Sequence, residues 1–307
     1  MRKTQVFFAC HLAALAFGLA GILIAMPHPE LWAGHPALVN VYTFGLQHGG
    51  ATHIIFGTIT MILFGIWALG WRKTLIFAAV GTLIPLGAEL LGTGTGWPFG
   101  GYSYTDYLGV KVAGRVPYSV PLSWFYMGFA SYLLAMLIMR MLVARPRAWQ
   151  TVGLGAWLLT AWDLVLDPAM ASDQLQQHTG LLFWVWHEHG AYFGMPLRNL
   201  VGWFGTAVLF IAVSRALWSL TGSAEEWKAG AARWDEAGHT VRLPIWLPLG
   251  VYLANLLWAM ALALSVGLWQ TAIFAVVLGI LPASLAWRAP RGGRHAPAVG
   301  GFNVADA

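Results

Sequence analysis

Eight apolar runs, each near the length that crosses a lipid bilayer, constrain this chain more than any other feature. They cover about 5–26, 51–70, 74–92, 121–142, 149–167, 196–220, 243–264 and 268–287. A spanning helix needs roughly 20 predominantly apolar residues at 1.5 Å of rise each. Of the 307 residues, 58% are hydrophobic and only 9% are charged, whereas a soluble domain carries roughly 25%. The expected fold class is therefore all-α: a polytopic protein of the cell membrane with about eight transmembrane helices. A single transmembrane domain, 1–287, is expected to precede a flexible Gly/Pro/Arg-rich tail, 288–307.

Local signals refine this outline. The first run follows Arg2 and Lys3 like a signal peptide. It exceeds the usual apolar core and lacks a small-x-small cleavage site, so an uncleaved helix is expected. Pro27 to Gly50 reads as a polar loop rich in histidine and aromatics. Pro168 disfavours helical geometry at Asp167, so the fifth helix is expected to stop there. The G-T-G-T-G run at Gly92–Gly96 follows a membrane helix and lacks the lysine of a phosphate-binding loop. It reads as a close-packed re-entrant turn.

Eight spans place both termini on one side. All of the 17 Lys and Arg except Lys111, Arg115 and Arg198 fall on that side, which the positive-inside rule makes cytoplasmic. The net charge of +5 is dispersed among loop ends without a patch of stacking aromatics, so nucleic acid is not an expected partner. The lone cysteine, Cys10, can form neither an internal disulfide nor a CxxC motif and reads as a small apolar residue.

The same map gathers the reactive residues at the outer side. Asp163 and Asp167 stand at i and i+4 near the end of the fifth run, which puts them on one helix face roughly 6 Å apart along the axis. Glu89 ends the third run, with Pro85 and Leu86 before it and Leu90 and Leu91 after it. Acids at the ends of apolar helices are costly and mark chemistry; solvated helix-end carboxylates are the plainer reading. Paired carboxyls in apolar surroundings repel, so one is expected to keep a proton that it can give to a poor base.

Most of the 18 tryptophans suit an interfacial belt. Trp97, Trp124, Trp162, Trp184 and Trp203, however, share segments with the acids, and their faces can hold a developing cation. Phe99, Tyr102, Tyr104, His187, Glu188, Tyr192, Arg198 and Asn199 complete the expected substrate-binding set. An internal echo runs through this region. Each of the third and fifth helices ends in acid, and each is followed by a loop and then by Pro-Leu (Pro121-Leu122, Pro196-Leu197) opening a helix that carries Trp-Phe.

Histidine supports a competing idea. His28, His35, His48, His53, His178, His187 and His189 map to the outer side. The pairs His48/His53 and His187/His189 loosely resemble the boxes of membrane desaturases and hydroxylases. No HxxHH element is present, and those families hold iron on the cytoplasmic side, so no metal ligand is assigned. A metal-dependent carotenoid or lipid oxygenase is one alternative reading. A proton-coupled transporter is another, although its acids should be spread across the membrane.

Three motif blocks carry a resemblance. They are E-L-L-G-x-x-x-G-x-P-F-G-x-Y-x-Y at Glu89–Tyr104, W-D-L-x-L-D-P at Trp162–Pro168 and G-x-Y-x-G-x-P-x-x-N-x-x-G-W at Gly190–Trp203, joined by Val116-Pro117 and Trp124-Phe125. In these the chain resembles the integral-membrane carotenoid biosynthesis family, which includes 1′,2′-hydratases of gamma-carotene and bisanhydrobacterioruberin. The resemblance implies addition of water to the terminal C=C of a linear carotenoid, giving a tertiary alcohol without a redox cofactor. For that chemistry Asp163 or Asp167, unranked, is the expected acid and Glu89 the expected base. The implied partners are the carotenoid and the bilayer, with association with other carotenoid-pathway enzymes left open.

Reporter fusions after residues 145, 185 and 230 test the topology. The fusion after 185 is expected to report the outer side and the other two the cytoplasm; a cytoplasmic signal at 185 contradicts the charge map.

Overall fold

The computed structural model describes residues 1–143, 146–220, 232–234, 240–242 and 245–288. Helix α1 (Arg2–Ala20) continues as a π-helical turn, Gly21–Ala25. It is followed by α2 (Pro36–Leu69), α3 (Trp71–Thr95), α4 (Ser119–Leu142), α5 (Ala148–Met170), the short α6 (Asp173–Thr179) and α7 (Leu197–Leu220). Then come α8 (Trp246–Ser265) and α9 (Trp269–Phe274), which runs on through a π-helical turn, Ala275–Ile280, into α10 (Leu281–Ser284). Among the described residues seven helical spans are long and apolar enough to cross a membrane. The 23-residue α5, which carries the two aspartates, is the eighth long helix. The protein is an all-α polytopic membrane protein.

Three local expectations are corrected. The segment from Pro27 to Gly50 is not a loop throughout, because α2 begins at Pro36. Proline suits the first helical position, where its missing N–H is not needed, and the following turns pack on α1, with Gly45 against the Phe17 ring. The G-T-G-T-G run is not a re-entrant turn. Its first four residues extend α3, where the Thr93 and Thr95 hydroxyls donate back to the Glu89 and Leu91 carbonyls. The helix stops only at Gly96, whose left-handed φ of 80° favours glycine.

The third correction concerns Pro168, which lies inside α5 rather than beyond its end. A proline within a helix leaves the carbonyl four residues earlier without its N–H. That carbonyl, on Leu164, instead accepts a hydrogen bond from the Tyr192 hydroxyl at 3.0 Å. A loop side chain thus repairs the helix where the sequence breaks it, and α5 continues to Met170.

Helices α3, α4, α5 and α7 close a ring in which each packs on two neighbours; α2 and α8 flank α4, and α1 lies on α2. Helix α4 is the most enclosed, with every residue from Ser119 to Met136 buried except Leu122. Near its middle the Phe77 ring meets Phe129 at 4.7 Å, Tyr132 at 5.7 Å and Phe210 edge-on at 5.8 Å. Between helices in lipid, such close packing and interhelical hydrogen bonds replace the hydrophobic effect. One such set joins α1, α2, α4 and α8. His11 Nδ1 donates to the His53 carbonyl at 2.7 Å, Asn255 donates to His11 Nε2 at 3.0 Å, and Tyr126 donates to Asn255 Oδ1 at 2.7 Å.

The loops contribute three short antiparallel pairs. Strand β1 (Tyr102–Tyr104) pairs with β4 (Trp184–Trp186), with Ser103 opposite Val185. Strands β2 (Lys111–Val112) and β3 (Val116–Pro117) form a hairpin, and β5 (Ala232–Trp234) pairs with β6 (Thr240–Arg242). The β1–β4 pair ties the loop after α3 to the loop after α5 over one end of the ring. Apart from β5 and β6, the polar segment 221–242 lies outside the described residues, as does the expected tail beyond Arg288.

Tyr192→Phe is expected to lower stability by about 1–3 kcal/mol, the cost of a buried carbonyl left without a donor. Thermal unfolding of the detergent-solubilised variant, by loss of monodisperse protein on gel filtration, checks this.

Candidate functional site

The carboxyls of α3 and α5 meet beneath the β1–β4 pair, where glycine makes the approach possible. The Phe99 ring sits between α3 and α7; a Cβ on Gly92 would come within 2.8 Å of it and a Cβ on Gly202 within 2.6 Å. With those side chains absent, the loop descends between the helices and carries Tyr102 onto Glu89.

Glu89 is 2% exposed and is surrounded by donors. Tyr102 and Tyr104 both donate to Oε2, the latter at 2.9 Å, and Trp124 Nε1 donates to Oε1 at 2.9 Å. Both oxygens of the Glu89 carboxyl are thus held as acceptors, between side chains from the loop after α3 and from α4. Burial, followed by the Glu89 charge, pushes both tyrosine hydroxyls well above the ordinary phenol range, so they remain donors. Asp167 pushes both tyrosines further in the same direction, which places its carboxyl in the same electrostatic cluster as Glu89.

The aspartates are held differently. Asp163 is fully buried and Asp167 is 5% exposed. A single amide spans them: Asn199 Nδ2 donates to Asp163 Oδ2 at 3.1 Å and to Asp167 Oδ2 at 2.7 Å, while touching Met195 Sδ at 2.9 Å. Among the described residues Asp163 Oδ1 is buried and accepts from no donor. One end of the ring therefore holds a buried carboxyl group fixed by three donors beside a pair of buried carboxyl groups that share one amide donor.

Aromatic rings form the walls. Trp124 and Trp203 stack at 3.8 Å, and Trp162 meets Trp203 edge-on at 6.0 Å. Phe99 lies 6.1 Å from Trp124, and Trp184 lies 5.9 Å from Tyr104. Through the Trp124 N–H and the Tyr102 and Tyr104 hydroxyls this ring cluster is joined to the Glu89 carboxyl, and exposed π-faces of such rings attract a cation.

Not every expected residue joins this cluster. Trp97 is 67% exposed, and His187 is exposed with Nε2 against the Ser103 hydroxyl at 2.6 Å. Glu188 and Arg198 form an ion pair on the exposed loop surface. Tyr192 spends its hydroxyl on Leu164. Trp186 and Met195 were not expected; Trp186 lies 5.2 Å from Tyr102. The W-V-W alternation was the signal for Trp186, because residues two apart on a strand share a face. The outer histidines scatter as well: His28 binds Glu30, and His48, His187 and His189 are exposed. Among the described residues no three His, Cys, Asp or Glu side chains converge as metal ligands would.

Asn199→Leu is expected to cost about 1–3 kcal/mol, because it removes the donor shared by two buried carboxyls. In the Asp163→Asn background the same change is expected to cost less, since fewer charged lone pairs are left unpaired. Unfolding midpoints of the four proteins in this cycle measure the difference.

Comparison with known proteins now adds to this geometry. The family described as carotenoid biosynthesis protein matches residues 49–282. A curated relative, bisanhydrobacterioruberin hydratase of Haloarcula japonica, is 31% identical over 195 residues, covering 62% of this chain and 59% of the relative. The chain thus spans less than two thirds of that relative's length. No solved structure matches the chain. The family match takes in α3, α4, α5 and α7 whole, together with every carboxyl of the site, and the chain belongs to the carotenoid biosynthesis protein family.

Proposed function

We propose that this protein is a carotenoid 1′,2′-hydratase of the cell membrane, adding water to the terminal C=C of a linear (psi) end group. The observation that supports the reading is the arrangement of the carboxyls: a buried aspartate pair bridged by one amide, and a buried glutamate held by three donors, among aromatic rings. The hydratase name of the Haloarcula relative supports it.

In the proposed reaction the Asp163–Asp167 pair gives its proton to the less substituted alkene carbon, and the π-electrons form the new C–H bond. The positive charge falls on the tertiary carbon, where aromatic faces and the Glu89 carboxylate stabilise it. Water then forms the C–O bond and Glu89 takes its surplus proton. Return of that proton to the aspartates closes the cycle. The sum is alkene plus water to tertiary alcohol, which is redox-neutral. Asn199 is a positioning residue for the acid pair, and Tyr102, Tyr104 and Trp124 are positioning residues for Glu89.

Asp163→Asn, Asp167→Asn and Glu89→Gln are each expected to reach the membrane and to lower turnover roughly 10²–10⁴-fold, the usual contribution of a general acid or base. The same purified protein should hydrate a linear carotenoid without air and with chelator present. In heavy-oxygen water the product hydroxyl carries the label, and in deuterated water one deuterium appears beside the carbinol carbon. An unlabelled hydroxyl, or dependence on dioxygen, would transfer the reaction to the oxygenase class.

A further inference from the structure

Between α1 and α2, at the same end of the protein as the carboxyls, lies a cavity of about 380 Å³, within the usual size of small-molecule sites. No Asp, Glu, Lys or Arg stands on its walls, so it suits a neutral, apolar occupant. We propose that it holds the polyene stem of the substrate, admitted sideways from the bilayer between α1 and α2, with the end group directed at the aspartates. This deepens the hydratase reading and rests on it.

The mouth is formed by Phe17, Ile24, Leu38 and Val41, apolar side chains that are exposed on the outside of the helices. On a membrane protein such side chains meet lipid. The inner wall is formed by the buried Met170, Leu181 and Phe183. Met170 stands seven residues after Asp163 and three after Asp167 on α5, which puts it on the aspartate face of that helix. Phe183 N donates to the Met170 carbonyl at 3.2 Å, and Thr105 N donates to the Phe183 carbonyl at 3.0 Å. The backbone that closes the cavity is therefore continuous with the β1–β4 pair over the carboxyls. The adaptable thioether of Met170 is the side chain that cavity and acid helix share.

The walls are shaped for an occupant. The π-helical turn after α1 contributes Gly21, Ile22, Ile24 and Ala25, and such turns recur at functional sites. Trp32 Nε1 donates to the Ala25 carbonyl at 2.6 Å, and the Trp32 ring stacks on Tyr42 at 3.9 Å, both on the cavity wall. Space is left by glycine: a Cβ on Gly18 or Gly21 would meet nothing within 4 Å. A stacked aromatic pair and a glycine-lined wall in one cavity suit a rigid, planar conjugated chain better than a flexible one.

Gly18→Leu and Gly21→Leu test this, because a Cβ at either position meets nothing within 4 Å and leucine forms helix better than glycine. Wild-type and variant proteins in nanodiscs are compared on a linear carotenoid and on a short acyclic isoprenoid alkene with the same end group. KM for the carotenoid is expected to rise on the order of tenfold, as when roughly two methylenes lose their burial. Turnover of the short alkene should be unchanged, which shows that the variants are folded and chemically competent. An unchanged KM for the carotenoid in both variants, or equal losses on both substrates, would overturn the proposal. Carotenoid retained on the protein through gel filtration gives a readout independent of chemistry. Retention by wild type and its loss in the variants support the stem site even if no hydration occurs, whereas equal retention overturns it. Loss of co-purifying phospholipid with carotenoid retention intact would assign the cavity to an acyl chain and also overturn it.

Discussion

Three carboxyls kept out of water at one end of a helical ring impose the main constraint on this structure. A charge moved into low dielectric is destabilised by several kcal/mol unless donors or a shared proton offset it. The elements around the site can be read as answers to that cost. The loop after α3 descends through the gap left by Gly92 and Gly202 to deliver two tyrosine hydroxyls, α4 supplies an indole N–H, and α7 begins with an asparagine that reaches both aspartates.

The two halves of the ring repeat one topology with opposite electrostatics. Helices α3 and α5 both end near acids, each is followed by a strand, and the strands pair about Ser103 and Val185. On the α3 side three donors converge on one carboxyl, which suits an anion. On the α5 side one amide serves two carboxyls, which leaves a proton as the natural third partner. Neighbouring carboxyls whose surroundings differ in this way can divide the roles of acid and base. A symmetric site would have offered two similar groups and no direction for proton transfer.

The sequence disclosed the fold class because span length and charge asymmetry are written in composition. It also singled out Glu89, Asp163 and Asp167, because acids in apolar runs stand out without any knowledge of contacts, and the structure buries all three. What it could not disclose were features that depend on partners distant in the chain. Pro168 reads as a stop until Tyr192, far along the chain, is known to satisfy the Leu164 carbonyl. The glycines at 92 and 94 read as a turn until Phe99 and the threonine back-bonds are placed. Chemical type likewise drew His187, Glu188 and Arg198 into the expected site, whereas on the exposed surface His187 bonds Ser103 and Glu188 pairs with Arg198 of α7. Polar residues near a site resemble polar residues within it until depth is known.

The proposed hydration of a membrane-dissolved alkene must bring together reactants that avoid each other. In that reading the architecture separates their approaches. The acids sit at the end of the ring beneath the β1–β4 pair, while the apolar cavity between α1 and α2 opens through apolar side chains exposed on the outside of the helices. The stem would remain in an environment no more polar than the bilayer, and only the end group would need to approach the carboxyls. In the proposed reaction charge develops where donors and π-faces already stand, so little reorganisation is required when the cation forms. Glu89 would then have the narrower task of meeting a single water, and its three donors fix the carboxyl in place before a substrate arrives.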